Sequence, residues 1–263
     1  MIKKLLPRLY LGLVLLFIYA PIIVLIVFSF SSSKFMGTGF GDFTLDWYRQ
    51  LFQDRTIMTS LYTTLLLATL SAAISTILGT LAAIGIHNMK KWLRGTVENI
   101  TYIPMLSPDI VMGISMMLLF IFIGVELGFT TLLIAHITFC TPYVIFSVLP
   151  KLKQMPEHLY EAALDLGCKP STAVRRIVLP QIMSGVVTGM LFAFTLSIDD
   201  FVVSYFTTSG VPNLSITIYS MAKRGLSPKL NALSALLFVV ITLLLIIINV
   251  RASRAERKEK ARV

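Results

Sequence analysis

Long apolar runs alternate with short polar segments along most of the chain. About 20 consecutive apolar residues are needed for an α-helix to cross the hydrocarbon core of a bilayer. Six runs reach that length, so the pattern predicts an all-α membrane protein with six transmembrane helices in a single domain, residues 1–263. The predicted spans cover residues 9–30, 61–86, 100–123, 129–149, 184–206 and 230–250, and the longest polar connection is 151–183.

The composition supports a membrane protein. Hydrophobic residues make up 56% of the chain and charged residues only 14%, where a soluble domain carries about 25%. The first run follows basic residues as in a signal peptide, but it is too long and lacks a small-x-small cleavage site, which favours an uncleaved span. The spacing of the two cysteines and three histidines predicts neither a disulfide framework nor a metal site.

The net charge of +10 has a topological explanation rather than a nucleic-acid partner. The N-terminus and the 87–99 segment hold three basic residues each, the 151–183 segment holds five and the C-terminal tail six. All the segments on the opposite side together hold six. Cytoplasmic loops are enriched in Lys and Arg, so both termini and the 151–183 segment are predicted to be cytoplasmic.

Two of the predicted spans carry small residues four positions apart. Small-xxx-small faces allow the backbones of two membrane helices to approach closely, so these spans are expected to contact each other or a partner subunit. The two stripes are Ser71, Ser75, Gly79 and Ala83, and Gly185, Gly189, Ala193 and Ser197.

The polar segment between the fourth and fifth spans predicts two short helices joined by a turn. Pro156 suits the first turn of a helix, Gly167 suits the left-handed residue that ends one, and Pro170 or Ser171 begins the next. Pro180 is expected to mark the boundary with the following span. A DNA-binding helix-turn-helix has a similar pattern, but tethering to the membrane at both ends disfavours it; a docking or structural loop is the stronger alternative.

The spacing within this segment resembles the EAA loop of ABC importer permeases. The pattern is Glu-Ala-Ala, three residues, Gly, nine residues, then Ile-x-Leu-Pro. The resemblance implies a type I importer permease fold in which this loop couples the permease to a cytoplasmic ATPase. The residues it assigns to coupling are Glu161, Ala162, Ala163, Gly167, Ile177, Leu179 and Pro180.

The chain has no phosphate-binding loop of the G-x-x-x-x-G-K-[ST] type, so it is not expected to hydrolyse ATP or to be an enzyme. Its energy source is then a separate polypeptide or an ion gradient. In the resembling family, ATP and magnesium bind to the partner ATPase subunits, and the permease chain itself binds no cofactor.

Three acidic residues lie at membrane depth, where ionisable side chains are costly and mark functional sites. Asp109 follows Pro104 and Pro108, which predict a broken or kinked span, and Asp199 and Asp200 form a pair in the fifth span. Asp200 is expected to continue the small-residue stripe three positions after Ser197 and to face the interior more squarely than Asp199. With no lysine or arginine within a span to neutralise these acids, a cationic substrate is predicted; helix capping is the alternative.

Longer blocks of sequence resemble the polyamine permeases of the same family, including "MLSPDIVMGIS" and "LSIDDFVVSYF". The resemblance implies spermidine or putrescine as substrate, a homologous second permease, two ATPase subunits and a periplasmic or surface polyamine-binding protein, assembled in the bacterial inner membrane. It also implies substrate contacts by Trp47, Asp109, Ser197, Asp199 and Asp200. Trp47 would alternatively serve only as an interfacial aromatic anchor.

Three other functions remain open from the residues. A permease for another cation, such as ferric iron, shares the EAA loop. An ion-coupled secondary transporter would use Asp199 and Asp200 to relay protons. A membrane-anchored DNA-binding regulator would use the helix-turn-helix-like segment.

Overall fold

The structure, a computed structural model, describes residues 2–33, 39–156, 158–225 and 228–240, together with 242, 243 and 246; for residues 2–7 and 9 it describes the backbone only. Within these ranges the chain is almost entirely helical. The helices are α1 (Ile2–Phe28), α2 (Asp46–Gln53), α3 (Arg55–His87), α4 (Lys91–Leu106), α5 (Asp109–Phe122), α6 (Phe129–Gln154), α7 (Leu159–Asp165), α8 (Pro170–Ala173), α9 (Leu179–Asp199), α10 (Val202–Thr207), α11 (Leu214–Lys223) and α12 (Pro228–Val240).

Four of the described helices are long and apolar enough to cross a membrane, or five when α4 and α5 count as one broken span. The two helices of that broken span meet at an angle of 101°, which confirms the break predicted from the prolines at 104 and 108. The sixth predicted span, 230–250, begins within α12 and continues outside the described residues. The protein is therefore a multi-pass membrane protein, with six spans remaining a prediction.

The chain divides into two compact units, of which the first contains residues 1–58 and 218–263. In this unit the segment after α1 is fixed to α2 by side-chain hydrogen bonds. The hydroxyl oxygens of Ser29 and Tyr48 lie 2.7 Å apart, and the Trp47 indole N–H donates to the Ser31 carbonyl at 2.8 Å. Trp47 thus lies within α2, with its indole N–H bonded to the segment after α1.

The second unit, residues 59–217, is built around α6, whose buried residues run along most of its length. Both small-residue stripes are buried and face α6, so they contact a helix placed between them rather than mainly each other. A Cβ atom on Gly79 would lie 2.7 Å from the Val144 Cβ, and one on Gly189 would lie 3.0 Å from the Val144 Cα. The stripes meet directly where the Ser71 hydroxyl donates to the Ser197 hydroxyl at 3.0 Å.

The close approach of α9 to α6 predicts the effect of adding one methyl group. In Gly185→Ala the new Cβ would lie 2.7 Å from the Ser147 carbonyl oxygen, so the two helices would have to separate. Overpacking of this kind costs about 1–3 kcal/mol. We expect a lower thermal unfolding midpoint for the purified complex, while Gly85→Ala, whose Cβ meets nothing within 4 Å, does not lower the midpoint, because alanine favours a helix more than glycine does. Equal midpoints for the two variants would contradict this account of the interface.

Two boundaries predicted from the sequence are wrong. The fifth predicted span, 184–206, is not one helix, because α9 ends at Asp199 and α10 begins at Val202. Pro180 does not interrupt the chain either: residues Pro170–Asp199 form one continuous helix of 30 residues. The helix widens into a π-helical turn at Val174–Val178, where the Leu179 N–H donates to the Val174 carbonyl. Proline lacks an N–H and crowds the preceding turn, and the wider turn accommodates both defects.

Candidate functional site

The second unit contains a cavity of about 240 Å³ lined by all three acidic residues predicted at membrane depth. It is called the acidic cavity below. Asp109, Asp199 and Asp200 contribute the carboxylates, and Phe139, Tyr143 and Phe201 are among the other lining residues. Among the described residues, no lysine or arginine lines this cavity.

Helix ends place the three carboxylates at the cavity. Asp109 is the first residue of α5, directly after the bend from α4, and an acidic side chain in a first helical turn is favoured by the helix dipole. Asp199 is the last residue of α9, and Asp200 lies between α9 and α10. Since α10 packs against α5 and α6, the broken ends of two predicted spans meet at one place.

Asp200 is the most enclosed of the three acids, with 9% of its side chain exposed, whereas Asp109 and Asp199 are exposed to the cavity. The expectation that Asp200 faces the interior more squarely than Asp199 is therefore confirmed. The expectation that it continues the helical stripe of α9 is wrong, because its backbone is extended (φ −64°, ψ 127°). Its carboxylate instead accepts the backbone N–H groups of Val203 and Ser204 at 3.2 and 2.7 Å, which caps α10.

The structure does not bring the other two predicted substrate residues to the cavity lining. Ser197 is completely buried behind the cavity, where its hydroxyl contacts the side chains of Ser71 and His136. Trp47 belongs to the first unit, where its indole N–H is used by the Ser31 carbonyl. Substrate contact by these two residues stays a prediction.

Residues that sequence reasoning did not select also surround the site. His136 is completely buried and its Nε2 lies 3.5 Å from an Asp200 carboxylate oxygen. Phe139 and Tyr143 follow on the same helix and line the cavity, where an aromatic ring can contact a cation through its face. The spacing of 136, 139 and 143 is that of one helix face, a signal present in the sequence but indistinguishable there from ordinary core packing.

Only the first of the two short helices predicted in the coupling segment is present, as α7; the second, starting at Pro170, is the first turn of the continuous helix Pro170–Asp199. Gly167 has φ +83°, and its N–H and that of Cys168 donate to the carbonyls of Leu164 and Ala163, so the predicted glycine-ended helix is confirmed. The start predicted from Pro156 lies earlier than the observed start at Leu159, and Glu157 lies outside the described residues.

The coupling segment has one face held by the core and another face free of it. Ala163, Ala173 and Val178 are buried. In contrast Glu161, Ala162 and Gly167 are exposed, and Leu166 is 87% exposed. The segment is therefore anchored on the transmembrane helices and presents an acidic, small-residue and apolar surface outward.

Comparison with known proteins identifies the family. Residues 75–258 match the family described as "Binding-protein-dependent transport system inner membrane component". The chain belongs to this family. Its members are transport permeases rather than enzymes, and the resemblance inferred from the Glu161–Pro180 pattern is confirmed.

Individual relatives agree with this assignment along nearly the whole chain. The spermidine/putrescine transport system permease protein PotC of Escherichia coli (strain K12) is 39% identical over 259 residues, covering 98% of this chain and 97% of that protein. The putrescine transport system permease protein PotI of the same strain is 33% identical over 251 residues, covering 92% and 89% respectively.

The fold agrees as well. The crystal structure of a bacterial ABC transporter involved in the import of the acidic polysaccharide alginate contains a chain that matches with a TM-score of 0.74. The two chains are 14% identical, and the match covers 95% of this chain and 96% of the other. At this identity the similarity shows a common ABC importer permease fold.

Proposed function

We propose that this chain is a transmembrane permease subunit of an ATP-driven importer that carries polyamines, such as spermidine and putrescine, across the bacterial inner membrane. The observation that carries the proposal is the acidic cavity, in which three carboxylates from two broken spans meet. The names of the relatives PotC and PotI support the same substrate class.

The chemistry of the cavity suits a flexible organic polycation. Each ammonium group of a polyamine needs an anionic partner once it leaves water, since an unpaired charge is costly to bury. The methylene segments between the amines would lie against apolar and aromatic walls such as Met112 and Phe139. Several carboxylates contacting separate amines favour a polyamine over a monoamine, which would satisfy only one of them.

The coupling segment supports an external energy source. Its outward surface of Glu161, Ala162, Leu166 and Gly167 is rigid, because α7 and α8 are anchored on buried core residues. A partner ATPase that carries ATP and magnesium would bind this surface and move it as a rigid body. The proposed assembly has two ATPases, a homologous second permease and a binding protein that delivers the polyamine. In it this chain has six spans with both termini in the cytoplasm.

Uptake of labelled spermidine tests the substrate class. We expect cells expressing this chain with its cognate partner subunits to accumulate spermidine in an ATP-dependent manner. Excess unlabelled putrescine should compete, whereas butylamine, which has the same four carbons but one amine, should not. Competition by ferric iron instead of putrescine would favour the metal-cation alternative. Absence of spermidine uptake despite an assembled, ATP-hydrolysing complex would overturn the polyamine assignment and leave only the family.

A further inference from the structure

A buried polar network lies behind the acidic cavity and is centred on His136. Both imidazole nitrogens have partners: Nδ1 lies 2.7 Å from the Ser197 hydroxyl and Nε2 lies 3.0 Å from the Ser204 hydroxyl. The Asn213 amide also donates to the Ser204 hydroxyl, at 3.2 Å. Nε2 lies 3.5 Å from the Asp200 oxygen Oδ2, while the described lining of the cavity includes Asp200 but not His136.

The carboxylate beside Nε2 favours one position for the imidazole proton. An ionised carboxylate can only accept hydrogen bonds, and the Asp200 Oδ2 lies 3.5 Å from Nε2. A neutral imidazole has one N–H and one acceptor nitrogen. This arrangement favours the proton on Nε2, facing Ser204 and Asp200, with Nδ1 accepting from the Ser197 hydroxyl.

The same network can also accept a second proton. If Nδ1 becomes protonated, it must donate to the Ser197 oxygen, and the Ser197 hydroxyl then turns to donate to Ser71. Ser71 has an alternative acceptor in the Ala68 carbonyl, 3.2 Å from its hydroxyl. The hydroxyls of Ser71 and Ser197 therefore keep hydrogen-bond partners in both protonation states of His136. The two states differ by one positive charge directly beside Asp200.

We propose that His136 is a positioning residue for Asp200. In its neutral Nε2–H form, His136 keeps the Asp200 carboxylate charged and available to the cavity. When His136 gains a second proton, its own positive charge pairs with Asp200, and the carboxylate is no longer available to a cationic substrate. The inference rests on the proposed function, because it assumes that Asp200 serves a cation. An imidazolium at 3.5 Å and a substrate ammonium would compete for one carboxylate, since each supplies the same positive charge.

Among the groups around His136, Asp200 is the charged side chain that lies beside the imidazole. Among the described residues, α3 and α9 contribute the hydroxyls of Ser71 and Ser197, and α10 contributes that of Ser204. On α6 itself, the thiol of Cys140 lies one turn further and contacts the Ala193 carbonyl. The other titratable groups of the cavity, Asp109, Tyr143 and Asp199, lie on its walls.

The first test compares the pH dependence of spermidine uptake in wild type, His136→Gln and His87→Gln. Uptake is measured at pH 8 and pH 5.5, and in wild type we expect the KM for spermidine to be roughly tenfold higher at the lower pH, with little change in maximal rate. His136→Gln, which keeps polar contacts but cannot gain a proton, should lose this dependence, and His87→Gln should retain it. The same pH profile in His136→Gln and wild type would overturn the inference.

The second test does not depend on transport, so it separates this inference from the proposed function. ¹⁵N-histidine is incorporated into this subunit alone and the imidazole signals are recorded by NMR in the assembled complex. The chain has three histidines, so His87→Gln and His158→Gln assign the His136 signal by elimination. We expect the Nε2–H form at pH 8 and a shift of the tautomer balance in Ser197→Ala.

An Nδ1–H form at pH 8 would overturn the inference even if the complex transports spermidine. If wild type takes up no spermidine, the proposed function fails while this readout still decides the state of His136.

Discussion

Replacing Asp200 with asparagine is expected to lower spermidine uptake by about tenfold or more at equal amounts of membrane protein. Removing one partner of a buried charge pair costs ~2–5 kcal/mol, and every 1.4 kcal/mol is a factor of ten. Asp200 is the least exposed of the three acids in the cavity, so water can replace its charge least effectively. Initial uptake rates over a range of spermidine concentrations provide the measurement.

The capping role of Asp200 requires its own control. Its carboxylate holds the backbone N–H groups of Val203 and Ser204, so a loss of uptake would also follow from a displaced α10. Asp200→Ser keeps a good capping oxygen but removes the charge, and Glu126→Gln removes a charge from an exposed residue outside the cavity. Low uptake in both Asp200 variants and normal uptake in Glu126→Gln would support a charge requirement. Normal uptake in Asp200→Ser would reduce Asp200 to a helix cap.

Reversing the charge of Glu161 is expected to abolish uptake without preventing membrane insertion. Glu161 is exposed on α7 and its carboxylate contacts an exposed histidine rather than a buried residue, so Glu161→Lys should fold normally. In the proposed docking surface the new lysine would meet a site selected for an acidic side chain, and like-charge contacts at interfaces cost several kcal/mol. Uptake should therefore fall more than about tenfold, and binding-protein-stimulated ATP hydrolysis should fall with it.

Two further variants show whether the position or only the charge matters. Glu126→Lys makes the same charge reversal outside the coupling segment and should transport normally. Glu161→Gln removes the charge while keeping the size, and an intermediate uptake rate is expected. Wild-type uptake in Glu161→Lys would show that this residue has no part in coupling. A failure of the variant to reach the membrane would show that Glu161 contributes to folding, contrary to its exposed position.

The sequence predicted the helical fold and the acidic residues well because both depend on local chemistry. Apolar run length predicted most of the spans, and Pro104 and Pro108 predicted the break that the structure shows as a 101° bend. A glycine in a polar turn predicted the left-handed residue at 167. Asp109, Asp199 and Asp200 stood out since charged residues in an apolar run have few structural explanations.

What the sequence did not predict depends on contacts between distant residues. The small-residue stripes indicate close approach but carry no information about the partner, which is α6. His136 has the same local pattern as a packing residue, and its partners lie 61 and 68 positions away. The end of α9 was missed because the apolar character continues through Phe206, while the break depends on Asp200 capping the next helix.

The continuous helix Pro170–Asp199 has a mechanical consequence. It is about 45 Å long, with the coupling segment at one end and the carboxylates of Asp199 and Asp200 at or just beyond the other. A tilt of about 10° around the coupling end would displace the far end by roughly 8 Å, more than twice the length of an ion-pair contact. In the proposed assembly the helix would act as a lever arm, so that a small rotation imposed by the ATPase would move Asp199 and Asp200 far enough to change their contacts with a bound cation.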